Sequence, residues 1–254
     1  MALPAPDSPV AAKVFASPNH GERAGGAMPS MLILHYTGMA DSGLALQKLA
    51  DPLAEVSCHY FVFEDGRVLQ MVPEARRAWH AGRSAWEGET DINSRSIGIE
   101  IANPGHAWGY VAFPEAQMAA VTALCADIVR RWSIRPGHVL AHSDIAPLRK
   151  EDPGEKFDWK RLAEAGAGLW VPPAPIRGGR FFAPGDEGQP VEALQAMFAM
   201  LGYGIEVTGR YDALTEAVVR AFQRHFRQER VDGIADASTI ETLRDVAAAK
   251  MAAA

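Results

Sequence analysis

Cysteine is scarce in this chain: its 254 residues include two, Cys58 and Cys125. That excludes a disulfide framework and any Cys-x-x-Cys metal knuckle, and it favours two buried free thiols over a single bridge. Positive charge is in deficit, with 25 Lys and Arg against 31 Asp and Glu. A nucleic-acid partner is held through clustered cations that neutralise phosphates, so no DNA or RNA role is expected. No apolar run approaches the ~20 residues that cross a bilayer, so no membrane span is expected either. The opening thirty residues lack a basic start followed by an uninterrupted apolar stretch and do not read as a secretory signal. The cytoplasm is therefore the expected compartment, with the periplasm, reached by a signal absent from this chain, as the alternative.

What is present is enough apolar residue, 48% of the composition, for one sizeable core and a second smaller one. Residues 1–30, rich in Pro, Ala, Gly and Ser, read as a poorly ordered arm on the domain surface. "MLILHYTG" then forms a short strand ended by Gly38, which puts His35 at its C-terminal end. "CHYFVFEDGRVLQMV" is a hairpin turning at Asp65-Gly66. "RSIGIEIAN" alternates, with Ile97, Ile99 and Ile101 on one face and Gly98 and Glu100 on the other. A long helix follows from Pro114, and "HVLAHSD" is a last strand ending near His142. Strands interleaved with helices predict an α/β sheet domain over residues 31–170.

"VPPAPIRGGR", residues 171–180, reads as a linker. Beyond it, residues 181–248 carry three amphipathic helices, with Val191, Leu194, Phe198 and Leu201 sharing one face of the first. The pattern G-x-x-D-A-x-T occurs at Gly209 and again at Gly233. Each copy offers an Asp that caps the next helix, so the repeat is a reused helix start and carries no chemistry by itself.

His35 and His142 at strand ends, and Asp152 in a Pro- and Gly-containing loop, are candidate metal ligands. Neutral imidazoles and a carboxylate suit zinc, and three protein ligands leave a fourth tetrahedral position open, as catalytic sites require. Glu100, on the polar face of its strand, is a candidate general base, and Lys150 a candidate partner for an oxyanion. Spacing alone does not bring these groups together, and any one of eight histidines is more often a satisfied polar residue than a ligand.

Five blocks, "LILHYTG", "SCHYFVFEDGRVLQMV", "AWHAG", "NSRSIGIEIAN" and "AHSDIAPLRKEDPG", resemble in order the motifs of the zinc-dependent N-acetylmuramoyl-L-alanine amidases of the amidase-2 family, of AmpD and AmiD type. The resemblance implies a mixed central β-sheet with flanking helices and Zn2+ held by His35, His142 and Asp152. It also implies Glu100 as base, Lys150 as transition-state stabiliser, and Tyr60, His80 and Asn103 as substrate contacts; the alternative for Tyr60 and His80 is a place in the hairpin core and a loop. Leu148 is bulky where the family often has a small residue, and is expected to narrow the mouth of the site. The C-terminal helices are similar to the three-helix peptidoglycan-binding domain type 1.

Together the resemblances imply hydrolysis of the amide between (anhydro-)N-acetylmuramic acid and L-alanine of the stem peptide, in peptidoglycan or in recycled anhydro-muropeptides. The alternative is a non-catalytic peptidoglycan recognition protein. A glycosidase would need two converging carboxylates, and Glu100 has no evident acidic partner in the motif blocks.

Overall fold

The computed structural model describes residues 5–179 and 181–253. Residues 1–4 of the expected arm and Arg180 of the expected linker lie outside the described residues. In chain order the strands are β1 (Lys13–Val14), β2 (His20–Gly21), β3 (Met31–Tyr36), β4 (Tyr60–Val62), β5 (Val68–Gln70), β6 (Arg77–Ala78), β7 (Ser96–Ile101) and β8 (Val139–Ala141). The helices are α1 (Ser42–Ala50), α2 (Ile92–Arg95), α3 (Glu115–Trp132), α4 (His142–Ile145), α5 (Trp159–Glu164), α6 (Gln189–Leu201), α7 (Ala213–Phe226) and α8 (Ala237–Ala252).

Six strands form one mixed sheet in the order β1-β5-β4-β7-β3-β8. The central strands β4, β7, β3 and β8 run parallel, and the expected hairpin pairs β4 with β5 antiparallel. At its turn Gly66 has φ 85°, and a Cβ there would lie 2.7 Å from the Ala116 carbonyl oxygen, so the position needs glycine twice over.

Period-two alternation divides the sheet into two faces. Leu32, Leu34, Tyr60, Ile97, Ile99 and Ile101 pack under α3 with Val121, Leu124, Cys125 and Ile128. On the opposite face the apolar cover is split. Phe61 and Leu69 pack with Ala45 and Leu49 of α1. Met31, Ile33 and Leu140 pack instead with Phe198, Leu201 and Phe222 of the C-terminal helices. Between these two clusters the same face carries His35 and Glu100. Both cysteines are free and buried.

Two expectations are corrected. The N-terminal segment is an integral part of the sheet rather than a loose arm: β1 adds parallel to β5 and β2 pairs with β6. Arg23 is 6% exposed and donates hydrogen bonds to the carbonyls of Glu74, Ser94 and Ser96. Elements of two residues leave no periodicity to read, so composition alone pointed the wrong way. The segment 171–179 is likewise tied down, with Ala174 N donating to Thr242 Oγ1 and Ser238 Oγ donating to the Ala174 carbonyl.

In the helical module the repeated motif caps as expected. Asp212 Oδ1 accepts from Thr215 N at 2.9 Å and Asp236 Oδ1 from Thr239 N at 2.8 Å. The repeat extends further inward: buried Gln195 and Gln223 each accept from the backbone of the glycine turn, at Gly209 N and Gly233 N.

Candidate active site

Register sets the first relationship. His35 on β3 pairs with Glu100 on β7, and paired residues of adjacent strands share a face. On the other side, Leu34 pairs with Ala141 of β8, so His142 follows directly as the first residue of α4. Ser143 N donates to the Asp152 carbonyl at 3.0 Å and holds the Pro-rich loop against α4. The three expected ligands therefore converge. His35 Nδ1 lies 2.8 Å from His142 Nδ1 and 3.1 Å from Asp152 Oδ2, and His142 Nδ1 lies 2.9 Å from the same oxygen. All three residues are buried.

The outer nitrogens of both imidazoles are engaged by the protein. His142 Nε2 faces the Ala81 carbonyl at 3.1 Å, which can only accept. His35 Nε2 meets His80 Nδ1 at 3.0 Å, His80 Nε2 meets Ser96 Oγ at 3.2 Å, and Ser96 Oγ donates to the Ile92 carbonyl at 2.6 Å. Followed from the Ile92 acceptor backwards, this chain makes His80 a donor at Nε2 and an acceptor at Nδ1, so His35 donates from Nε2. Both Nδ1 atoms then turn lone pairs toward the Asp152 carboxylate.

Burial, reinforced by His142, pushes the His35 pKa down to about 4, so the ring is neutral near pH 7. Two lone-pair nitrogens and an anionic oxygen, with no proton to share, are an arrangement that a divalent cation resolves. Tetrahedral zinc sets its ligand atoms about 3.3 Å apart, close to the spacing here. The residues fit the metal.

Glu100 lines a cleft of about 320 Å³ together with Lys48, His80, His142, Lys150 and Asp152. Its Oε2 is sealed from solvent and has no hydrogen-bond partner among the described residues. Burial, then Asp152, raise its carboxyl well above the ordinary value, while Lys150 and Lys48 pull the other way. Among the described residues neither lysine ammonium has a hydrogen-bond or ion-pair partner.

The remaining expected contacts are placed differently. Tyr60 faces away from the cleft because it pairs with Ile99, one residue out of phase with Glu100; it is fully buried and its hydroxyl donates to Glu74 Oε1 at 2.6 Å. Asn103 is also structural: its amide donates to the Val111 carbonyl and its Oδ1 accepts from Gly105 N. His80 does line the cleft, but both ring nitrogens are occupied by His35 and Ser96, so it orients a ligand and has no free group for substrate. Leu148 is 63% exposed and lines a neighbouring depression with Arg83 and Leu214, leaving the mouth of the cleft alone.

Two participants escaped the sequence reading. Lys48 sits within the helical pattern of α1 and carries no local signal. Gly98 did carry one, a glycine inside a strand, which marks close approach. A Cβ at Gly98 would lie 2.4 Å from the His80 ring.

Such a cleft is equipped for metal-assisted hydrolysis: a donor set for a divalent ion, an unpaired carboxyl within it for proton transfer, and free ammonium groups for developing negative charge. Comparison with known proteins gives the reaction class. Residues 25–155 match the N-acetylmuramoyl-L-alanine amidase family and residues 187–243 a putative peptidoglycan-binding domain. The chain is 38% identical over 222 residues to the N-acetylmuramoyl-L-alanine amidase AmiD of Escherichia coli, covering 82% of this chain and 79% of AmiD.

It is 31% identical to the 1,6-anhydro-N-acetylmuramyl-L-alanine amidase AmpD of Citrobacter freundii, over 58% of this chain and 85% of AmpD. In structure it is similar to Escherichia coli AmiD in complex with the substrate anhydro-N-acetylmuramic acid-L-Ala-D-γ-Glu-L-Lys, with a TM-score of 0.73 and 37% identity over 91% of this chain and 92% of that one. It is also similar to AmpDh3 of Pseudomonas aeruginosa in complex with anhydromuramic pentapeptide, with a TM-score of 0.71 and 29% identity over 91% and 94%.

The chain belongs to the N-acetylmuramoyl-L-alanine amidase family, whose members are in general zinc-dependent.

Proposed function

We propose that the chain binds Zn2+ through His35, His142 and Asp152 and cleaves the amide between (anhydro-)N-acetylmuramic acid and L-alanine of the stem peptide. The observation that carries this reading is the orienting network: the Ala81 carbonyl and the His80–Ser96–Ile92 chain aim both Nδ1 lone pairs at Asp152. The anhydromuramyl peptides bound by the AmiD and AmpDh3 relatives support the substrate class.

Zinc, when bound, supplies Lewis acidity at the cleft. Glu100, the carboxyl without a hydrogen-bond partner, takes a proton from the attacking water. The water oxygen bonds to the lactyl carbonyl carbon, and the Lys150 ammonium faces the charge that develops on the carbonyl oxygen. Glu100 then delivers its proton to the alanine nitrogen as the carbon–nitrogen bond breaks, leaving a muramyl carboxylic acid and a free stem peptide. A carboxyl with a raised pKa is suited to holding that proton between the two steps.

The test is mass spectrometry of products after incubation of zinc-loaded protein with intact sacculi and, in parallel, a soluble anhydro-muropeptide. Stem peptide released from the soluble substrate alone supports a recycling enzyme, the role that goes with the cytoplasmic expectation. Release from sacculi supports action on the polymer through the C-terminal module. Release from neither, with zinc bound, overturns the amidase reading in favour of a recognition protein.

A further inference from the structure

We propose that the C-terminal helical module is a working part of the catalytic domain, positioning the metal-ligand segment through a buried clamp on Asp144. The proposal rests on the assignment of His142 and Asp152 as metal ligands and names Tyr203 and His225 as positioning residues.

Asp144 lies two residues beyond His142 in α4 and is completely buried. Of its three hydrogen bonds, one is local, from Ala141 N to Oδ2 at 2.8 Å. The other two come from the module: the Tyr203 hydroxyl donates to Oδ1 at 2.7 Å and His225 Nδ1 donates to Oδ2 at 2.7 Å. A buried carboxylate needs such partners, because an unmatched one loses far more in desolvation than it recovers. Without the module, Asp144 would keep, of these partners, the Ala141 N–H alone, and α4 would lose the two hydrogen bonds to its buried carboxylate that come from outside the catalytic domain.

The clamp is itself held rigidly. The His225 ring stacks on Trp159 with centroids 3.7 Å apart, and Tyr203 meets Trp86 edge-on at 5.0 Å. The far part of the ligand-bearing segment is held by α7 and the residues that follow it. Arg224 of α7 pairs with Glu151 at 2.7 Å, directly between Lys150 and Asp152, and Gln228 donates to the Phe157 carbonyl at 2.7 Å. His142, Lys150 and Asp152 thus sit on a stretch of chain, residues 142–157, that is fastened by His225 and Arg224 of α7 and by Gln228 just beyond it. A module serving only to tether the enzyme to a polymer has no need of polar contacts buried beneath the ligand loop.

The experiment compares the full-length protein with Tyr203→Phe and Tyr203→Phe/His225→Phe, which keep the rings and remove the donors. Lys250→Ala is the control, since Lys250 joins the module to Glu87 without touching α4. Two quantities are read: amide hydrogen exchange of residues 142–152 in metal-free protein, and zinc affinity by chelator competition. Faster exchange of that segment, by about tenfold for each hydrogen bond to charge removed, and a zinc affinity lowered roughly 10-fold or more, with Lys250→Ala unchanged in both, are expected. Wild-type exchange in the double variant, or an equal effect in Lys250→Ala, overturns the proposal. Exchange is measured without metal, so a chain that proved to bind no zinc would sink the metal assignment while the clamp was still judged by its own readout.

Discussion

His35 and Glu100 are register partners on adjacent parallel strands, so one side chain of the His35–His142–Asp152 cluster and one carboxyl lining the cleft are fixed relative to each other by the backbone pairing of the sheet. No loop intervenes between them. A change at Glu100 therefore isolates chemistry from architecture. Glu100→Gln keeps the shape, retains zinc binding and lowers kcat by about 10²–10⁴-fold on a soluble anhydro-muropeptide, followed by stem-peptide release. Turnover within a few-fold of wild type would remove Glu100 from the proton path.

His80 is predicted to act through His35. His80→Phe preserves ring volume but leaves the His35 Nε2 proton without an acceptor, and zinc affinity falls roughly 10- to 100-fold in chelator titrations. Undiminished affinity would mean that the orienting chain is dispensable.

How much of this was visible beforehand follows a physical rule. The alternation of Ile97, Ile99 and Ile101 gave the strand, its faces and hence the side on which Glu100 lies, because a half-buried strand writes its orientation into every second residue. His35, His142 and Asp152 were recognisable as ligand types at strand ends and in a loop, and the motif order assembled them. For Tyr60 the sequence leaves substrate contact and hairpin core both open, because a motif position does not say which way a side chain points; its register with Ile99 puts it in the core. The N-terminal segment was misread because its edge pairing is made by backbone groups, to which composition is blind.

Tyr60→Phe tests that correction. It removes a buried hydrogen bond to the Glu74 carboxylate, which keeps Arg131 and Trp132 as partners, and is expected to lower unfolding stability by ~1–3 kcal/mol. KM for the muropeptide stays at the wild-type value; a raised KM with unchanged stability would return Tyr60 to the substrate site.

His59 makes stability depend on pH. Burial first, and then Arg23, push its pKa down to about 3, so the folded protein keeps the ring neutral where the unfolded chain, near 6.5, takes up a proton. Unfolded protein binding the extra proton means stability falls as pH drops from about 6.5 toward 3, by up to about 5 kcal/mol from this group. Denaturant titrations at several pH values are expected to show that slope in the wild type and a shallower one in His59→Gln.

Gly98→Ala places a Cβ against the His80 ring, which has Ser96 and His35 on either side and nowhere to retreat. A loss of ~1–3 kcal/mol in stability is expected together with weakened zinc binding. Calorimetry and metal titration of the same sample separate this from simple strand propensity, which would leave the metal untouched.

The two margins of the sheet have a consequence for ligand choice. They are formed by β1 and β8, strands of two and three residues. Neither offers a run of free amides and carbonyls long enough to recruit a peptide as an extra strand. A ligand with mixed chirality and a γ-linkage, like the one bound by AmiD, has a backbone that does not keep ladder register. On the proposed function, recognition of such a ligand falls to the side chains that line the cleft and not to an added strand.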